Sequence, residues 1–169
     1  MALPPFQQLL DDHGGDVFRF LVATVGRGEA EDCYQETWIA ALRAYPRLRD
    51  ASNLRAWILT VAHRKALDHF RAARRRAEPV GDAVAREPGA VAARADWVGD
   101  AAPGAGDGLP GVWIAVRALP PKQRTALVLR FLADFSHGEI ARIMETSEEA
   151  ARRNVHEGLK RLRTEYGHV

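Results

Sequence analysis

Arginine carries most of the recognisable chemistry in this sequence. The 169 residues hold 21 Arg but only 3 Lys, with six His and a single Cys. A planar guanidinium matches phosphate or carboxylate oxygens with two parallel hydrogen bonds and keeps its charge at every physiological pH. The arginines are bunched. Residues 51–76 carry 7 bases against 1 acid, and residues 112–169 carry 10 bases against 7 acids. Between them, residues 77–111 carry 6 acids against 2 bases, and residues 1–50 carry 8 acids against 5 bases. The formal net charge of +2 and pI near 9.0 thus conceal two basic segments separated by an acidic one. Bond-making chemistry has little to work with. Cys33 has no partner for a disulfide, the histidines recur at no metal-ligand spacing, and no nucleophile, base and orienting group stand out. No metal, cofactor or catalytic site is expected, and a polyanion is the partner that the residue types favour.

Helices must position these side chains. The apolar residues recur at three-and-four spacing and nowhere alternate as in strands, so an all-α fold is expected. The first helix follows Pro4 and Pro5 and runs to about Val25, with Phe6, Leu9, Leu10, Val17, Leu21 and Val25 inward and Gly26 and Gly28 ending it. The second runs from about Glu29 to Tyr45 and stops at Pro46. Its inward face is Ala30, Cys33, Tyr34, Thr37, Trp38, Ala41, Leu42 and Tyr45, and Asp32, Gln35, Glu36, Ile39 and Arg43 share the opposite side. Taken alone, that side reads as an ordinary solvated stripe with one stray apolar residue, the alternative being a docking face built on Ile39 among carboxylates. The third helix, capped near Ser52 and Asn53, runs to about Arg75. Leu54, Trp57, Ile58, Val61, Leu67 and Phe70 face inward, and Arg55, Arg64, Lys65, Arg71, Arg74, Arg75 and Arg76 supply charge. Trp57 and Phe70 are needed by the core, which argues against a cationic membrane-surface helix.

The last block reads as a short turn from Val112 to Leu119, a helix after Pro120 and Pro121 to about Ala133, and a helical pair from Ser136 to Glu145 and from Ser147 to about Tyr166. Ser136 with Glu139, and Ser147 with Glu148 and Glu149, put caps and acids at both helix starts. Leu127, Leu129, Phe131, Leu132, Ile140, Ala141, Ile143, Val155, Leu159 and Leu162 are the expected core. That leaves Arg152, Arg153, Asn154, His156, Lys160, Arg161 and Arg163 on the outside of a candidate helix-turn-helix. The Ala-, Gly- and Pro-rich acidic stretch reads as a flexible linker. The organisation expected is therefore two small helical domains, 1–76 with a three-helix bundle and 112–169 with four helices, joined by the linker 77–111. No apolar stretch reaches the ~20 residues of a membrane span, and the start MALPPFQQLLDD has no basic, apolar leader. A cytoplasmic protein without membrane insertion is expected.

Two stretches resemble a known family. AEDCYQETWIAALRAYPRL followed by NLRAWILTVAHRKALDHFRAARRR resembles region 2 of the extracytoplasmic-function (ECF) sigma factors, promoter-recognising subunits of bacterial RNA polymerase. ALPPKQRTALVLRFLADFSHGEIARIMETSEEAARRNVHEGLKRLR resembles their region 4, in the same order and with a linker between. The resemblance implies a non-enzymatic factor that binds core RNA polymerase and directs promoter recognition, DNA melting and transcription initiation. Asp32, Gln35, Glu36 and Ile39 would contact the clamp helices of the β′ subunit, and the β subunit would be a further contact. Asp50, Ser52, Asn53 and Arg55 would meet the minus-ten element and hold a flipped base, supported by Arg64, Lys65 and Arg71. Arg152, Arg153, Asn154 and His156 would lie at or near bases of the minus-thirty-five element, and Arg130, Lys160 and Arg161 would hold phosphates. An anti-sigma factor is implied as a further partner. The chain departs from the family at the helix-turn-helix turn, where Glu145 and Thr146 replace the usual Gly and aliphatic residue, so a turn that is either strained or differently packed is expected there. The rival reading is a stand-alone helix-turn-helix regulator, which would bind duplex tightly without polymerase and leave the acidic second helix without a role.

Overall fold

A computed structural model of the chain describes residues 3–77 and 110–166, and every regular element among them is helical. The first module is α1 (Phe6–Val25), α2 (Arg27–Ala44), a 3-10 turn (Tyr45–Arg47) and α3 (Leu54–Ala77). The second is α4 (Pro110–Ala118), α5 (Pro121–Leu127), a π-turn (Val128–Leu132), α6 (His137–Ile143) and α7 (Glu148–Tyr166). Of the expected linker, residues 78–109 lie outside the described residues, while Ala77 closes α3 and Pro110 opens α4.

The signals read from sequence act locally as expected. Asn53 Oδ1 accepts the amide of Ala56 at 2.9 Å and starts α3. Ser136 and Glu139 form a reciprocal capping box on α6, and Ser147 Oγ accepts the amide of Ala150 at 3.1 Å at the head of α7. Gly26 is the single residue between α1 and α2, at φ +92° and ψ 160°, a region that side chains with a Cβ avoid. Aromatic side chains seal the bundle. Phe6 meets Trp38 and Tyr45 edge-on at centroid distances of 5.8 and 5.3 Å, and Tyr45 Oη donates to the Pro4 carbonyl at 2.6 Å.

Burial differs from expectation in one systematic way. The end of α1 was expected to bury Leu21 and Val25 alone, yet Phe20, Leu21, Val22, Ala23, Thr24 and Val25 are all buried. On α3, Leu59, Ala62, His63 and Ala66 are buried besides the expected Ile58 and Val61, while Leu67 and Phe70 stay half-buried. The cause is tertiary. One side of α1 packs on α2 and α3, and the other is covered by α4, α5 and the π-turn of the second module, while α6 lies against α3. A helix flanked on two sides is apolar all round, and FLVATV carries that signature in the sequence.

Two residues expected inside are outside. Leu42 is 55% exposed because the bundle closes on Ala41 and Tyr45 around it. Phe131 is 64% exposed: the amide of Ala133 reaches back five residues to the Val128 carbonyl, and this wider turn moves Phe131 off the inward face occupied by Val128 and Leu129. Gly26→Ala should lower stability by about 1–3 kcal/mol, because the backbone region is strained for any L side chain and the added Cβ would also have to displace the Arg117 guanidinium. Gly28→Ala, which meets nothing within 4 Å, should cause no loss in the same urea titration.

Candidate nucleic-acid interface

The loop leading into α3 is built by its own side chains. Asp50 Oδ1 accepts the Ser52 amide at 2.8 Å, and this hydrogen bond holds the Asp50 carboxyl below the usual carboxylate range. Asp50, Ser52 and Asn53 are all exposed, so the sequence-expected trio does form one cluster, with the Asn53 carbonyl oxygen committed to the helix cap.

Arg55, expected beside them, faces the other module. Its Nε donates to Asp16 Oδ2 at 2.7 Å, its Nη1 donates to the Ala133 carbonyl at 2.9 Å, and its guanidinium lies 4.7 Å from the Phe135 ring centroid. Burial alone would raise the Asp16 carboxyl, but the guanidiniums of Arg55 and Arg19 outweigh it and hold Asp16 low. Two turns along α3, Arg64 is 61% exposed and reaches Glu145 of the helix-turn-helix turn, with Nε donating to Oε1 at 2.8 Å. Lys65 is half-buried, and Arg71 is exposed 3.7 Å from Asp68. Arg74, Arg75 and Arg76 extend the basic end of α3 into solvent.

On α7, Arg152, Arg153, His156, Lys160 and Arg161 are exposed and Asn154 is half-buried; Arg152, Arg153, His156 and Lys160 share one side of the helix, while Asn154 and Arg161 lie towards the other. Arg152 pairs with Glu148 one turn away at 2.9 Å, an exposed contact easily exchanged for a phosphate. Arg130 is partly buried and donates to the Phe135 carbonyl at 3.0 Å. The close approach of α5 to α7 is made possible by Gly158, where a Cβ would meet Leu127 at 2.8 Å. The turn before α7 is a Schellman arrangement. Thr146 N–H donates to the Ala141 carbonyl at 2.9 Å and Glu145 N–H to the Arg142 carbonyl at 3.3 Å. Glu145 occupies the glycine position with φ +53°, so the expected strain is present, of order 1–3 kcal/mol for a non-glycine residue.

A separate surface lies on α2. Asp32, Gln35, Glu36 and Ile39 are all exposed on one face, and Leu42 joins them, so the face presents an apolar pair among carboxylates. A second apolar feature, not legible as such in the sequence, is a cleft of about 300 Å³ between α4, the π-turn and α7, bounded by Trp113, Val116, Leu127, Phe131, Leu159 and Leu162. Only the π-turn's break in phase, invisible to a 3.6-residue period, exposes Phe131 at its rim.

The remaining reactive groups are packed away. Burial pushes the Cys33 thiol up to about 11, with Glu36, Glu29 and Asp32 adding to the effect, so it stays an uncharged core side chain. Among the described residues, no three His, Cys, Asp or Glu side chains are grouped to hold a metal ion, and no helix is long and apolar enough to cross a membrane.

Residues 9–76 match the family described as Sigma-70 region 2, and residues 114–162 match Sigma-70, region 4. The chain is 32% identical over 160 residues to the ECF RNA polymerase sigma factor SigD of Mycobacterium tuberculosis, covering 88% of this chain and 71% of SigD. It is 31% identical over 147 residues to the ECF RNA polymerase sigma factor BldN of Streptomyces coelicolor, covering 86% of this chain; the match spans about half of BldN, 54%. The sigma factor RpoE of Bartonella quintana, solved in complex with the anti-sigma factor NepR, has the same fold, with a TM-score of 0.72 at 22% identity over 96% of each chain.

His63, buried on α3 with Nδ1 unpartnered, gives the interface a measurable pH signature. Burial pulls it down to about 4 from an ordinary 6.5; the Glu145 carboxylate opposes this and Arg64 assists it. Above pH 6.5 the imidazole is neutral in both the folded and unfolded states. As the pH falls from 6.5 to about 4 the unfolded chain takes up the proton first, so stability should drop by about 3 kcal/mol across that window. The drop should shrink by that amount in His63→Gln when urea midpoints are compared at each pH, and identical profiles would show that the group does not titrate as described.

Proposed function

The chain belongs to the extracytoplasmic-function sigma factors of the sigma-70 family, and from that premise we propose how its two modules divide the work of starting transcription. The first module, the α1–α3 bundle, docks on core RNA polymerase through α2 and engages the minus-ten element through the start and basic side of α3. The second, α4–α7, places α7 in the major groove of the minus-thirty-five element. The factor performs no chemistry itself; it supplies binding energy and orientation to an enzyme that does.

The observation that carries this reading is the face of α2. Ile39 and Leu42 stand about half exposed beside Asp32, Gln35 and Glu36, although burying each would gain roughly 1 kcal/mol. A bundle left to itself has no use for that pair, whereas a basic, apolar-spotted helix pair such as the β′ clamp fits it. The apolar cleft rimmed by Phe131 and Trp113 offers a second hold, suited to an apolar segment of the β subunit.

DNA contacts follow from charge and exposure. Asp50, Ser52 and Asn53 present polar groups that can hydrogen-bond the edge of an extruded base, and Arg64, Lys65 and Arg71 supply the phosphate contacts that offset the few kcal/mol of unstacking, while Arg55 reaches DNA only on leaving Asp16 and the Ala133 carbonyl. Arg152, Arg153, Asn154 and His156 are placed to read base edges, guanine by a bidentate arginine above all, with Lys160 and Arg161 on phosphates. Arg130, held on the Phe135 carbonyl, orients the approach to α6 and reaches phosphate only from that site. An anti-sigma factor would act by covering the same α2 face or cleft.

Two variants test the assignment. Asp32→Lys with Glu36→Lys should keep helicity and melting behaviour but lose co-elution with core polymerase; unaltered assembly would remove α2 from the interface. Arg152→Ala and Arg153→Ala should each reduce transcription from the cognate promoter and lower the salt slope of holoenzyme binding by ~1. Slopes equal to wild type would take both side chains off the DNA.

A further inference from the structure

One side of α7 carries a carboxylate among its bases. Glu149, Arg152, Arg153, His156 and Lys160 recur at the three-and-four spacing that stacks side chains on a single helix face, and all are exposed. The start of the helix is already served without Glu149. Ser147 caps it, with Oγ accepting the Ala150 amide at 3.1 Å, and Glu148 is a first-turn acid that receives Arg152 at 2.9 Å. The Glu149 carboxylate makes no hydrogen bond or ion pair with the other described residues, so its charge is left to whatever approaches this face.

On a surface that attracts phosphate, a carboxylate weakens binding to every DNA sequence. It favours one sequence over another only where it meets a donor. An ionised carboxylate accepts hydrogen bonds and donates none, and in the major groove the base donors are the N4 amino group of cytosine and the N6 amino group of adenine. Guanine and thymine turn only acceptor oxygens and nitrogens to that groove and would face the carboxylate with repulsion. Adenine sets its N7 acceptor beside N6, which suits an amide with both a donor and an acceptor; the lone amino group of cytosine suits a carboxylate. Position agrees with chemistry. Residues near the start of a recognition helix meet base edges, and Glu149 precedes Arg152 and Arg153 by one turn, ~5–6 Å at Cβ. That spacing matches a step of one or two base pairs at ~3.4 Å each.

We propose that Glu149 is a specificity determinant of the second module: its carboxylate accepts a hydrogen bond from the N4 amino group of a cytosine in the minus-thirty-five element, in a base pair flanking the guanine read by Arg152 or Arg153. The proposal rests on the placement of α7 in the major groove made above. Glu149 thus lowers affinity for DNA at large and lowers it most where guanine or thymine stands at that position.

Holoenzyme assembled from the full chain and core RNA polymerase tests this on a promoter library randomised across the minus-thirty-five element, upstream of a start site that the holoenzyme uses. The readout is the base frequency at each position among transcribed templates. Wild type should enrich cytosine at one position of the element. Glu149→Ala should lower that preference about five- to thirty-fold and leave the other positions as they are. Glu149→Gln should move the same position towards adenine, whose N6 and N7 an amide matches. Glu165→Gln, the same charge change on an exposed residue towards the opposite side of α7, should alter no position. If both Glu149 variants keep the wild-type profile, or change transcription equally for all sequences as loss of a helix-start charge would, Glu149 reads no base. If the position they alter is not a cytosine in wild type, the assigned base is wrong. If Arg152→Ala and Arg153→Ala also leave every position unchanged, α7 does not lie in the groove, and the proposal falls with its premise.

Discussion

The structure turns on a helix with no free side. From Phe20 to Val25, α1 is closed off by α2 and α3 on one flank and by the second module on the other. Its carbonyl at Thr24 takes the guanidinium of Arg124, whose charge is largely withdrawn from water. Burial, with Arg117 nearby, lowers that group to about 10, still far enough above neutrality to keep the proton. The half-buried guanidinium donates to the Thr24 and Leu119 carbonyls, so this contact has a defined geometry where apolar packing alone would slide.

Exposed charge then decides which partners can reach the protein. The basic ends of α3 and α7 lie on different modules, and the carboxylates of α2 lie on neither basic surface. Like-signed patches on separate bodies can attract two stretches of one polyanion, and the acidic face, of opposite character, would repel it.

Most of the element list could be read from the sequence because its determinants are local. Caps at Asn53, Ser136 and Ser147, the break at Gly26 and the three-and-four stripes act within a few residues, and they are realised in place. The basic face of α7 and the acidic face of α2 were legible for the same reason. What was not legible depends on contacts between modules. The burial of Val22, Ala23, Leu59 and His63, and the diversion of Arg55 to Ala133 and Phe135, follow only once the second module is laid on the first. Phe131 and Leu42 were misplaced by a regular period. A π-turn shifts phase in one case, and a narrow bundle leaves part of an apolar face uncovered in the other.

The decisive measurement is reconstitution of the purified chain with core RNA polymerase on genomic DNA, with mapping of the transcript 5′ ends. A stable one-to-one assembly should form, and the mapped starts should share two conserved elements at fixed separation upstream that core enzyme alone does not use. A chain that fails to join the core enzyme, or that joins it without changing where transcripts begin, would contradict the account at its root.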